Sequence, residues 1–266
     1  FNNIHNAISN GSGCLVGGVF FDGNNIYIGT NDGVLVSTNG GTNFTTAPLT
    51  GLPSNERIFS FAAAKQGSTI RFFALTADVN DLYVGLMPWN YWGFMKNVYS
   101  IDYNASTAWT PRMTGINPAT DFLMFVAMPQ NDINTCYIGG SNTSSELNVV
   151  KTTNGGTNWT HIFNTASNQN LYTGWCGTGG DRTWTYAESV FGIAVAPQNA
   201  NKVIITDFGF VHKTADGGAT WHQAYINPTT ENPAGSNTPL YKSYAGIGLD
   251  NTTCWQTFWI DAHNIY

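Results

Sequence analysis

Ser37-Thr-Asn-Gly-Gly-Thr-Asn-Phe44-Thr45, Thr152-Thr-Asn-Gly-Gly-Thr-Asn-Trp159-Thr160 and Thr214-Ala-Asp-Gly-Gly-Ala-Thr-Trp221-His222 are three writings of one nine-residue hairpin. Each follows a β-branched run, such as Val34-Leu-Val36 or Val149-Val150. Asn or Asp before Gly-Gly supplies the positive-φ residues that a tight β-turn requires. The side chains of Asn39, Asn154 and Asp216 are placed to accept backbone N–H bonds within that turn. The aromatics Phe44, Trp159 and Trp221 then close the hairpin and pack between sheets. One turn repeated at wide spacing predicts a repeat architecture.

Composition points the same way. The 266 residues are 42% hydrophobic and 10% charged, enough apolar side chain for a large core. Glycine, Asn and Thr are abundant, aromatics reach 14%, and no window of helical length carries a 3.6-residue period. The fold expected is all-β. Net charge is −6, and the ten Lys and Arg are scattered singly, which excludes the clustered cations that nucleic-acid binding needs. No apolar run approaches the ~20 residues of a membrane-spanning helix. The acidic, Lys-poor, Asn- and Thr-rich composition fits an extracellular or cell-surface protein.

A degenerate fourth hairpin is expected at Ser100-Ile-Asp-Tyr-Asn-Ala-Ser-Thr-Ala-Trp109, with Asp102 in the turn and Trp109 as its closing aromatic. The turn residues 39, 102, 154 and 216 then stand 63, 52 and 62 residues apart. That period suits a four-stranded propeller blade with a loop insertion. The predicted units are 15–55, 56–115, 116–165 and 185–230, within a single β-propeller portion spanning 1–266. A strand-turn-strand unit also recurs: Phe122 to Gly139 and Val190 to Ile205 share Val-Ala followed by Pro-Gln-Asn. Ile260-Asp-Ala-His-Asn-Ile-Tyr266 repeats Phe21-Asp-Gly-Asn-Asn-Ile-Tyr27, so a further blade is expected to start near 255 and the chain to be part of a larger propeller. The remaining blades or domains of the same polypeptide are therefore expected partners.

The three hairpins resemble the Asp-box (BNR) repeat, whose usual form is Ser-x-Asp-x-Gly-x-Thr-Trp. Thr214 to Trp221 fits with Thr for Ser; the other two carry Asn39 and Asn154 for the Asp, and Asn43 and Asn158 for the Thr. The resemblance implies a β-propeller but not one activity. Asp-box propellers include sialidases, xyloglucan-hydrolysing glycosidases, sortilin-type receptors and secreted bacterial proteins. Arg57, Arg71, Arg112 and Arg182 do not carry the Arg-Ile-Pro signature of sialidases. Thr206-Asp-Phe-Gly-Phe-Val-His212 is similar to the setting of a catalytic Asp in xyloglucanase-like enzymes, which makes Asp207 the acid or base candidate. An inverting glycosidase needs a second carboxylate roughly 6.5–9.5 Å away, for which Asp32, Asp181, Glu188 and Asp261 are candidates.

Two aromatic-rich insertions are candidate ligand sites. Leu86 to Phe94 carries Trp89, Tyr91 and Trp92; Thr173 to Tyr186 carries Trp175, Asp181, Arg182 and Trp184. Rings beside polar groups stack sugar faces and hold their hydroxyls. Cys14, Cys136, Cys176 and Cys254 show no C-x-x-C spacing, and the five His show no ligand spacing, so no transition-metal site and no cofactor is expected. Structural Ca²⁺ on loop Asp and carbonyl oxygens stays open. Cys176 and Cys254, each beside a Trp, are the expected disulfide. The leading reading is a secreted or cell-surface propeller that binds polysaccharide or glycoprotein glycans. The alternatives are a glycoside hydrolase with Asp207 as one carboxylate, and a sortilin-like propeller that grips a protein partner.

Overall fold

The structure is a computed structural model that describes residues 4–6, 13–82, 94–180, 185–186, 188–248, 257, 259 and 261. The fold is all-β, and its four antiparallel sheets are the up-and-down meanders of propeller blades. Among the described residues no helix is long and apolar enough to cross a membrane. The chain divides into two compact units, Phe1–Cys136 with Thr152–Trp159, and Tyr137–Lys151 with Thr160–Tyr266.

In the first unit one sheet comprises β1 (Val16–Asp22), β2 (Asn25–Thr30), β3 (Gly33–Ser37) and β4 (Thr45–Thr46), in that order. Asp22 pairs with Asn25 across a two-residue turn, and Gly23 there adopts φ 61°. The next sheet holds β5 (Glu56–Gln66), β6 (Thr69–Asp78), β7 (Met95–Asp102) and β8 (Thr110–Pro111). A third sheet holds β9 (Asp121–Ala127), which falls in the first unit, and β10 (Cys136–Asn142), β11 (Leu147–Thr152) and β12 (Thr160–His161), which fall almost wholly in the second. The core of the first unit lies between its first two sheets. Phe72 is fully buried and packs against Tyr27, Phe61 and Tyr103, with ring centroids 5.0–5.3 Å apart. Gly29 admits the Phe61 ring, since a Cβ there would stand 2.2 Å from Phe61 Cγ.

In the second unit, β14 (Gly192–Ala196), β15 (Asn199–Thr206), β16 (Val211–Thr214) and β17 (Trp221–Gln223) form the fourth meander, to which β13 (Leu171–Tyr172) adds a parallel strand. Pro197 and Gln198 turn the chain between β14 and β15. Pro has no N–H to give to a ladder and presets φ, so a turn is where it fits.

The repeated hairpins share one hydrogen-bond plan. In the first, the Ser37 hydroxyl donates to Asn39 Oδ1 (2.9 Å) and accepts from Gly41 N–H (2.9 Å), while Asn39 Oδ1 accepts from Asn43 N–H (3.0 Å). Thr152, Asn154, Gly156 and Asn158 repeat the set, as do Thr214, Asp216, Gly218 and Thr220. Both glycines of each copy have positive φ, between 69° and 91°. The first glycine N–H also donates to an earlier hairpin turn, Gly40 to Asn24, Gly155 to Asn134 and Gly217 to Asn201. Trp159 and Trp221 are buried, and their indole N–H groups donate to the carbonyls of Arg112 (2.9 Å) and Ile162 (2.8 Å). Phe44 is half-buried.

The fourth hairpin departs from this plan. Asp102 closes its turn through its carbonyl, which accepts from Ala105 and Ser106 N–H, while its carboxylate turns to Arg71 in a bidentate pair of 2.6 and 2.9 Å. Trp109 is buried near Phe72. The further blade expected near 255 lies outside the described residues, except for 257, 259 and 261.

Candidate functional site

Asp207 sits where β15 ends and the chain turns into β16. It is fully buried. Its Oδ1 accepts from the N–H groups of Gly209 (2.8 Å) and Phe210 (2.6 Å), and its Oδ2 lies 3.1 Å from His212 Nε2. Both oxygens are thus engaged in closing a turn, where a residue with a short acceptor is needed to satisfy consecutive N–H groups. His212 is equally buried, with the Phe163 ring edge-on at 5.2 Å.

Around this pair lies a buried polar network. Gln223 donates to the Cys176 carbonyl (3.1 Å), and its Oε1 accepts from Gly174 N–H and the Tyr225 hydroxyl. The Tyr186 hydroxyl donates to Asn168 Oδ1 at 2.6 Å. Burial, and then the Asp207 charge, push the Cys176 thiol well above its ordinary value, and burial does the same to the Tyr186 and Tyr225 hydroxyls. These groups stay neutral and hydrogen-bonded, which is a structural use. The Cys176 Sγ faces the Thr185 carbonyl at 2.9 Å; Cys254, its expected disulfide partner, lies outside the described residues. Trp175 packs on Phe210 and Tyr225 at 5.0 and 4.6 Å and is half-buried over the network. Trp89, Tyr91, Trp92, Asp181, Arg182 and Trp184 lie outside the described residues. Glu188 and Asp261 are exposed.

A different grouping comes together in the first unit. A cavity of about 300 Å³ opens beside the β2–β3 turn and the loop that leads into β5, lined by Asn31, Asp32, Leu52, Pro53, Ser54, Glu56 and Arg57 among others. The turn is set by Thr30, whose buried hydroxyl donates to the Gly33 carbonyl (2.8 Å) and accepts from Asp32 N–H (3.1 Å). Arg57 Nη1 donates to the carbonyls of Ser54 and Glu56, both at 2.8 Å, so the guanidinium braces the loop it stands on. The Glu56 carboxylate accepts from Thr76 Oγ1 (2.5 Å) and Asn97 Nδ2 (2.8 Å). Burial, and then the charge and hydrogen bond of Glu56, push the Tyr99 hydroxyl up to about 12. Among the described second-carboxylate candidates, Asp32 lines this cavity. Glu56 and Arg57 escape a motif search, yet adjacent opposite charges after Pro53-Ser54-Asn55 are a usable signal in a chain only 10% charged.

His5 Nε2 lies 2.9 Å from Asp32 Oδ2, with their side chains 13% and 1% exposed. Cys14 is exposed, and its Sγ belongs to the same cluster: donor atoms of His5, Cys14 and Asp32 all lie within 4.8 Å of one another. Partial burial and the Asp32 charge raise the Cys14 thiol, against a lowering hydrogen bond with Thr30.

No protein family's sequence profile matches the chain, and no curated protein sequence does. Solved structures do. The chain is similar to the GH74 xyloglucanase from Xanthomonas campestris, with 13% identity, a TM-score of 0.51, and coverage of 78% of this chain and 30% of that one. An ancestral GH74 enzyme is similar at 16% identity and a TM-score of 0.47, over 86% of this chain and 26% of its own. A Trypanosoma rangeli sialidase mutant displaying trans-sialidase activity follows at 11% and 0.45, over 85% and 41%. The first of these carries the β-propeller fold and nothing finer. The chain spans under a third of the length of either GH74 enzyme.

Proposed function

We propose that the chain is a glycan-binding propeller module of a secreted or cell-surface protein, with Asp-box hairpins as its blade scaffold. The observation that carries this reading is the cavity at the β2–β3 turn. It is lined by Asn31, Asp32, Glu56 and Arg57 together with the apolar side chains of Leu52 and Pro53. Sugars are bound by that combination, hydroxyls to planar polar groups and C–H faces to apolar ones. The aromatic stretches with Trp89, Tyr91 and Trp92, and with Trp175, Asp181, Arg182 and Trp184, are proposed as additional glycan-contacting surfaces, each within its own unit. The xyloglucanase named above acts on a polysaccharide, which lends the reading analogy and no more.

A glycan array probed with the wild-type chain and with Arg57→Ala tests it. Wild-type binding to a defined glycan set, weakened about tenfold or more by Arg57→Ala with the fold intact, is the expected result. An array on which the two are indistinguishable overturns the cavity as the site.

A hydrolase is the second reading: Asp32 and Glu56 both line the cavity, the first with its carboxylate on His5 and the second with its carboxylate on Thr76 and Asn97. Asp207 enters it only as the positioning of a turn. Release of reducing sugar from a β-glucan panel by the wild type, lost in Glu56→Gln and kept in Asp207→Asn, is its signature.

A further inference from the structure

Residues 5, 14 and 32 are far from any familiar metal-ligand spacing, yet the fold gathers their donor atoms into one cluster no wider than 4.8 Å. The gathering is built. Asn31, buried and directly before Asp32, grips both neighbours of Cys14: its Nδ2 donates to the Gly13 carbonyl (3.1 Å), and its Oδ1 accepts from Leu15 N–H (2.8 Å). Its own N–H donates to the Leu15 carbonyl (3.3 Å). Cys14 is therefore clamped on both sides to the residue that precedes Asp32, while Thr30 fixes the Asp32 backbone from below. The Asp32 carboxylate is 1% exposed and faces His5 Nε2 at 2.9 Å.

We propose that His5 Nε2, Cys14 Sγ and an Asp32 carboxylate oxygen bind one divalent transition-metal ion of the zinc class, with a fourth position left to water. One thiolate, one imidazole and one carboxylate match zinc, whereas Ca²⁺ and Mg²⁺ take oxygen donors throughout. Metal–ligand bonds of about 2.0–2.3 Å put tetrahedral donor atoms roughly 3.3–3.6 Å apart. The hydrogen-bonded His5–Asp32 pair needs to open by only about half an ångström to reach that spacing. Three protein ligands and an open position are the composition of an exchangeable zinc site rather than a closed structural one. This site is independent of the glycan reading, although Asp32 borders both.

Cobalt titration of the full chain, stripped with chelator under reducing conditions, tests the proposal. A thiolate-to-cobalt charge-transfer band should saturate at one equivalent, with visible bands of tetrahedral intensity, and zinc should displace both. Cys14→Ser should abolish the charge-transfer band. His5→Ala should weaken cobalt binding at least about tenfold. Cys14 is exposed, so Cys14→Ser keeps the fold, and an unchanged circular dichroism spectrum checks this. A wild type that shows no band at excess cobalt, or a band that survives in Cys14→Ser, overturns the site. Glycan binding without cobalt binding sinks this site alone; cobalt binding without glycan binding sinks only the glycan reading.

Discussion

Asp207 and Asp216 are the same residue type put to two uses, and their variants should behave differently. Asp207→Ala leaves the Gly209 and Phe210 N–H groups without their acceptor and strips His212 of its partner, all inside the protein. A loss of about 3 kcal/mol is expected, read as a lower denaturant midpoint. Asp207→Asn keeps one acceptor oxygen and should lose less. Asp216 is exposed, and positions equivalent to it hold Asn39 and Asn154 with the same turn bonds, so Asp216→Asn should fold normally. Burial is the largest single influence on the Asp216 carboxyl and raises it, but hydrogen bonds from the Thr220 side chain and backbone and from Thr214 together outweigh it and hold it below the usual carboxylate range. Its stabilisation is present above the unfolded carboxylate value and fades as pH falls through the lower folded one. Asp216→Asn should therefore flatten the acid limb of the stability curve without moving its neutral plateau much. An acid limb identical to wild type contradicts this account.

At the scale of elements, the hairpin glycines divide by what surrounds them. Gly40 has φ 70°, and a Cβ there meets nothing within 4 Å; Gly218 has φ 91°, and a Cβ there stands 2.5 Å from Ile162 Cδ1. Gly40→Ala should cost about 1 kcal/mol from the left-handed backbone alone. Gly218→Ala adds overpacking of about 1–3 kcal/mol, so its melting temperature should fall clearly further. Equal losses at the two positions would show that backbone strain accounts for both. The turns were readable in advance because Asn-Gly-Gly and Asp-Gly-Gly dictate backbone geometry locally. Asp102 shows the limit of such reading: without Gly-Gly after it the turn closes through the carbonyl, and the carboxylate is drawn to Arg71, its partner on the preceding strand β6.

Over the whole molecule, the low charge and net −6 suit neutral glycans better than polyanionic ones, whose approach the acidic surface opposes at low salt. The array of neutral and sulfated or uronate-bearing glycans should divide accordingly. The all-β class, the blade meanders and the closing aromatics follow from local patterns, namely turn residues, β-branched runs and a repeat period. The turns and β-branched runs act over a few residues, and the period only counts their recurrence along the chain. Asp207 looked like a site from its neighbours in sequence, and the structure buries it, because whether a carboxylate meets solvent or backbone N–H groups depends on what packs over the turn. The same holds for the cavity of Asp32, Glu56 and Arg57 and for the cluster of His5, Cys14 and Asp32. Asp32 stands far in the chain from the Glu56-Arg57 pair, as His5 and Cys14 do from Asp32; only the packing of the β2–β3 turn beside the loop into β5, and the clamp at Asn31, bring each group together.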